Sequence, residues 1–209
     1  MQLTSTAFVD GGRIPAAFAF GAIDPAAHVK LSENLNPDLR WSDVPAGAKS
    51  LALICHDPDV PSRGDDVNQE GRTIPAALPR VDFFHWVLFD LAPDVAPIGR
   101  GEFSRGVTPR GKPGPGAARG ARQGINDYTG WFAGDKDMAG SYFGYDGPCP
   151  PWNDEILHHY VFTLFALDVP KLALAADLSG AAARQAMHGH ILAQAALTGV
   201  YTLNPALQS

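Results

Sequence analysis

Residues that interrupt regular structure are spread through this chain from end to end. Its 209 residues include 22 glycines and 18 prolines. Glycine loses more backbone freedom on folding than any other residue, and proline removes an amide donor and fixes φ. Breakers at this density leave little room for long helices and favour short strands joined by turns. The rest is an ordinary globular mixture, 45 % hydrophobic and 18 % charged, long enough to bury a core without disulfide or metal staples. The length fits one domain over residues 1–209, with long loops near 63–82 and 108–146 and no internal repeat or linker.

The charge balance narrows the possible functions. With 16 basic and 22 acidic residues the net charge is −6. A nucleic-acid binder carries a basic stripe, and none is present. Arg105, Arg110, Lys112, Arg119 and Arg122 fall in a Gly/Pro-rich stretch and read as a solvated loop. Cys55 sits in an apolar run and reads as a buried thiol; with Cys149 it makes no disulfide framework. Residues 1–10 lack a basic start followed by an apolar run, so no signal peptide is read. No apolar run approaches the ~20 residues that span a bilayer. A cytoplasmic protein without membrane insertion is the expectation.

Hydrophobic patterning marks the elements. Residues 3–8 read as a short strand followed by a turn at Asp10-Gly11-Gly12. Residues 21–47 read as irregular and polar. SLALIC (50–55) is a strand that stops at HDPDVP (56–61), because proline cannot continue a central ladder. FFHWVLFDL (83–91) is a central strand; a period of two puts Phe83, His85, Val87 and Phe89 on one face. GPCPPW (147–152) is rigid and extended, and leads into the strand LHHYVFTLFAL (157–167), with His158, Tyr160, Phe162 and Leu164 on one face. Residues 179–197 predict a helix: Ser179 caps it, alanines fill it, Met187, Ile191 and Ala195 form its apolar stripe, and Gly199 ends it. A last short strand follows at 200–203. Many strands with one helix argue for packed antiparallel sheets flanked by that helix.

Polar residues inside such apolar strands are the candidates for chemistry. Asp57 and Asp59 lie at a strand end, His85 lies within a strand, and His158 shares a strand face with Tyr160. An unpaired buried polar group costs roughly 1–3 kcal/mol, so these side chains are expected to meet and share hydrogen bonds around a cavity. Two imidazoles and a phenol can donate to an anion, and Asp57 can orient an imidazole and favour its charged form. The alternative for each histidine is a satisfied structural residue, and for Asp59 a turn-stabilising side chain. His56 and His159 read as structural, and His188 and His190 as surface or packing residues of the helix. A hydrolase using His and Asp as acid and base, with Cys149 as nucleophile, competes with the binding reading, although no G-x-S-x-G elbow is present. A zinc site from His85, His158 and Asp57 is a third possibility.

DPDVP (57–61), FHWVLFDL (84–91), GPCPP (147–151) and HHYVFTLFALD (158–168) occur in one order and resemble the phosphatidylethanolamine-binding proteins, specifically the bacterial Raf-kinase-inhibitor-like branch. NPDLRW (36–41) and GHILAQAALTGVYT (189–202) extend the resemblance over most of the chain. It implies a mainly β fold of two packed antiparallel sheets, a β-sandwich, with a small anion pocket at one end. That pocket would take phosphate-bearing or carboxylate-bearing ligands, with no cofactor and no metal. The resemblance assigns Asp57, His85, His158 and Tyr160 to the pocket and Pro61 to its wall. It places Gly147 and Cys149 in the rim segment, where Cys149 stands in for a glycine of eukaryotic members, and adds Asp59 from the same motif. It further implies a homodimer and a regulated protein partner. The segments 70–79 and 108–140 look longer than in short bacterial members and would cover the pocket or serve an interface. The chain ends soon after its last strand, so lipid binding and kinase inhibition are not carried over.

Overall fold

The computed structural model describes residues 1–174 and 176–208. Its centre is a five-stranded antiparallel sheet formed by β5 (Ser50–Pro61), β6 (Arg80–Leu91), β7 (Arg122–Gln123), β8 (His158–Leu167) and β9 (Ile191–Tyr201), in the order β7-β6-β5-β8-β9. Two small antiparallel pairs complete the strands: β1 (Gln2–Thr4) with β4 (Arg40–Ser42), and β2 (Gly21–Asp24) with β3 (His28–Leu31). The mainly β, packed-sheet architecture expected from the breaker density is present. The second layer is two short ribbons and their loops rather than one broad sheet. Residues 21–47, expected to be irregular, supply three of its four strands.

Both faces of the large sheet are covered. Leu51, Leu53, Trp86, Leu88, Phe162 and Leu164 point to one side, where they meet Leu3, Phe18, Leu39 and Tyr145 from the ribbon layer. Ala52, Ile54, Val87 and Phe89 point to the other, against Leu172 and against Ala183 and Met187 of helix α2 (Gly180–Met187). Each large side chain buried this fully contributes about 1.5–3 kcal/mol. A one-turn helix, α1 (Tyr128–Trp131), lies in the loop expected at 108–146.

The helix predicted over 179–197 is corrected by the structure. Ser179 does cap α2, its hydroxyl accepting from the Ala182 amide at 3.2 Å, but the helix ends at Met187. His188 and His190 lie in the turn that follows, where Gly189 takes φ +83°. Residues 191–201 form β9, paired with β8 along its length, Leu197 opposite Phe162 and Tyr201 opposite His158. Alanine-rich sequence favours helix by only tenths of a kcal/mol per residue. A full ladder that lays Leu197 and Tyr201 on the core outweighs that preference.

Two irregularities in the ladders set the position of the functional candidates. β5 does not stop at His56. It continues to Pro61, with its register shifted between Asp57 and Val60. Its pairing with β8 ends at His56, so beyond that point the strand is paired on one side, where prolines are tolerated. In β6, Trp86 faces Cys55 while Phe84 faces His56, which leaves His85 as an extra residue in a bulge. A bulge re-aims the side chain it carries. His85 therefore leaves the face of Val87 and Phe89, contrary to the strict alternation expected, and turns to the side of Asp57 and Tyr160.

Candidate functional site

The β5 bulge, the β6 bulge and the first residues of β8 open onto one cavity of about 400 Å³. Of the expected residues, Asp57, Pro61, His85, Cys149, His158 and Tyr160 line it. Asp59 and Gly147 do not. The Asp59 carboxylate turns outward and accepts from the His159 amide at 2.8 Å and ring Nδ1 at 2.7 Å. Gly147 lies behind the wall, its carbonyl accepting from the Tyr128 hydroxyl at 2.8 Å. Cys149 packs against Gly21, where any Cβ would fall 2.6 Å from its sulfur. Burial pushes the Cys149 thiol up to about 12, so it is not a thiolate near neutral pH.

One end of the cavity floor is saturated. His158 is fully buried between two carboxylates, with Nδ1 donating to Asp57 at 2.7 Å and Nε2 to Asp154 at 3.2 Å. Burial opposes its charge, but the hydrogen bonds and charges of Asp154 and Asp57 outweigh it and raise its pKa to about 9. His158 is therefore an imidazolium with both N–H groups committed. The expectation that two imidazoles would donate to a ligand is corrected accordingly. Asp154 is gripped in turn by both terminal nitrogens of Arg80, at 2.5 and 3.0 Å, and Asp57 accepts from the Asp59 amide at 2.8 Å. Two negative and two positive groups balance here.

The other end is open. His85 donates Nδ1–H to the Asp146 carbonyl at 2.7 Å, which leaves its Nε2 to face the cavity. Burial lowers its pKa, and the nearby carboxylates only partly offset that effect. The Tyr160 hydroxyl is buried and makes no hydrogen bond of good geometry, although the Asp57 carboxylate lies close enough to it to raise its pKa. Burial, and then the Asp57 charge, hold its pKa well above the ordinary phenol range, so it stays a neutral donor. Behind His85, Asp146 is fixed by Asn34 at 2.7 Å, Asn126 at 2.8 Å and Lys112 at 2.9 Å.

Sequence reasoning missed Asp154, Arg80, Asp146 and Tyr128. Asp154 stands four residues before His158 in an irregular segment, and Arg80 opens a strand expected to begin three residues later. No spacing rule joins either to Asp57. Among the described residues no group of three His, Cys, Asp or Glu side chains is arranged to hold a metal ion, and both His158 nitrogens are already used. Among the described residues no helix is long and apolar enough to cross a membrane.

A cavity of small-molecule size thus lies at one end of a covered antiparallel sheet, with a carboxylate-clamped histidine at its floor. The phosphatidylethanolamine-binding protein family model matches residues 4–202, and this chain belongs to that family. It is 34 % identical over 201 residues to the UPF0098 protein of Methanothermobacter thermautotrophicus, covering 96 % of this chain and 98 % of that one. It is 28 % identical over 202 residues to the UPF0098 protein YbhB of Escherichia coli, covering 97 % and 100 %. Among solved structures, CT736 of Chlamydia trachomatis superposes with a TM-score of 0.63 at 31 % identity, covering 96 % of this chain and 95 % of that one. Escherichia coli YbcL, at 24 % identity and 96 % and 97 % coverage, shares the fold with a TM-score of 0.67.

Proposed function

We propose that this protein binds a small phosphate-bearing or carboxylate-bearing ligand, with the ligand's oxygens at the open end of the floor. The observation that carries the reading is the Tyr160 hydroxyl, buried at the cavity without a hydrogen bond of good geometry. A ligand oxygen accepting from it would remove a penalty of roughly 1–3 kcal/mol. His85 Nε2 stands beside it, the two rings 5.1 Å apart. As a neutral imidazole it accepts from a protonated ligand oxygen, and as an imidazolium it donates to a charged one. The saturated His158 cluster holds Asp57 in place rather than touching the ligand. The family name points to phosphoethanolamine as the first ligand to try.

Two observations count against the competing hydrolase reading. The Cys149 thiol is protonated at neutral pH, and His158 has no lone pair to serve as a general base. The test is calorimetric or NMR titration with phosphoethanolamine and inorganic phosphate. Tyr160→Phe should weaken binding about tenfold, as expected for one lost hydrogen bond to a charged group, and His85→Ala should weaken it further. Unchanged affinity in both variants would end the proposal, as would turnover of a phosphoester panel that depends on His85.

A further inference from the structure

We propose a second binding site, in the ribbon layer, that takes an extended peptide segment in which carboxylates flank an apolar side chain. The site is a groove of about 530 Å³ that shares no lining residue with the cavity at the bulges. Three stretches build it: Thr6 and Ala7 after β1, the single turn Ala16–Phe18 with Pro15 before it, and residues 97–100. The last of these pairs with Leu39, just before β4, through Ile98. The proposal does not depend on what the cavity binds.

Phe18 and Ile98 are buried and give the groove an apolar base, and Pro15 and Pro97 add to it. Arg40 and Arg100 also line it. Arg100 carries the inference. Its guanidinium lies over the Phe18 ring, 5.0 Å from the centroid. Among the described residues it makes no hydrogen bond or ion pair. A guanidinium resting on a ring has one face packed and its N–H edge free, the arrangement that receives a carboxylate through two parallel hydrogen bonds. The neighbouring acids are engaged elsewhere. Glu102 accepts from Arg119 Nε and Nη2 at 2.6 and 2.7 Å. Asp38 accepts from the Thr6 amide at 3.1 Å, the Thr6 hydroxyl at 2.8 Å and the Ser5 hydroxyl at 3.3 Å, and meets Arg40 only at 3.7 Å.

The chain as a whole is acidic, at −6, so an acidic segment finds its attraction here in the local pair of arginines. The groove is also formed in advance. Leu39 and Ile98 exchange both amide–carbonyl bonds, at 3.0 and 2.9 Å, and the Asn36 side chain donates to the Gly99 carbonyl at 3.0 Å. Less backbone ordering is then needed on binding. An enclosed site buries about 70–90 % of a small ligand. This groove is open to solvent on one side, which suits a chain that passes through it with an apolar side chain on Ile98 and the prolines.

The experiment is an NMR titration of the full chain with three capped peptides: acetyl-Glu-Leu-Glu-amide, acetyl-Gln-Leu-Gln-amide and acetyl-Glu-Gly-Glu-amide. The first should shift the amide signals of Phe18, Gly99 and Arg100. The glutamine peptide should bind about tenfold more weakly, having lost its charge-assisted bonds. The glycine peptide should also bind about tenfold more weakly, having no side chain to bury. Arg100→Ala, at an exposed position, should weaken the first peptide about tenfold and leave phosphoethanolamine affinity at the wild-type value. Arg100→Lys keeps the charge without the planar edge and should recover only part of the loss. Equal binding of the glutamate and glutamine peptides, or unchanged affinity in Arg100→Ala, would overturn the site. Shifts confined to His85, Tyr160 and Trp131 would put the peptide in the cavity and overturn it as well. Shifts of the same size from acetate alone would reduce the groove to an unspecific anion contact, and the peptide assignment would fail.

Discussion

His158 and His85 border the same cavity, yet their surroundings push them in opposite directions. His158 lies between Asp57 and Asp154, and those carboxylates raise its pKa to about 9 against the effect of burial. His85 meets a backbone carbonyl instead, and burial lowers its pKa. Both are buried imidazoles on strands of one sheet. The difference is what each was given to bond with. A histidine whose two nitrogens are both taken holds structure together; one with a free nitrogen facing a cavity can respond to what enters it. The pair shows that finding two histidines at a site is not enough to assign both to ligand contact.

Four measurements would break or sharpen this contrast. The largest effect is expected for His158→Ala, which leaves the buried Asp57 and Asp154 without their shared cation. Losing one member of such a buried set costs about 3–5 kcal/mol, measurable by urea unfolding. A loss below ~1 kcal/mol would mean that the cluster is not what holds the floor.

The second is pH dependence. Because the folded pKa of His158 is raised, its contribution to stability is complete below the unfolded value of about 6.5 and is lost as pH rises through about 9. Unfolding free energies measured from pH 6 to 10 should therefore decline across that window. His85 predicts the opposite region for binding: its pKa lies below 6.5, so phosphate affinity should rise as pH falls through that lower value. Affinity that followed the higher transition instead would reverse the roles assigned to the two rings.

Tyr160→Phe should leave stability within about 1 kcal/mol of wild type, or raise it, because the hydroxyl removed makes no hydrogen bond of good geometry. A substantial loss of stability would place Tyr160 with the saturated end. The smallest effect is expected for Asp59→Ala. Its carboxylate serves the exposed His159, and surface pairs of this kind contribute about 0–1 kcal/mol. Ligand affinity should not change, since the Asp59 amide that donates to Asp57 is kept.

Much of the architecture could be read from local chemistry. The strands around SLALIC, FFHWVLFDL and HHYVFTLFAL stand where their apolar runs placed them, because a short, breaker-bounded apolar run has few other ways to bury itself. Ser179 marked the start of α2 for the same reason, a local hydrogen bond between near neighbours. The error at 191–197 is of another kind. Ala193, Ala195 and Leu197 satisfy a two-residue period as well as a helical one, and the choice was made by β8, 24 or more residues away in sequence. The candidate site divides along the same line. Asp57, His85, His158 and Tyr160 could be named because polar side chains inside apolar strands demand partners. Asp154 and Arg80 could not, since nothing local distinguishes them from surface charges.

The sequence alone therefore determined which segments become strands, which polar groups must find company, and the family to which the chain belongs. Tertiary structure decided the rest: that His85 turns to the cavity, that His158 is closed off by two carboxylates, and that Tyr160 is left without a hydrogen bond of good geometry. Strand formation depends on the side chains of a few consecutive residues. The direction of a bulged side chain and the charge of a buried imidazole depend on distant groups, whose positions are fixed only when the whole sheet has paired.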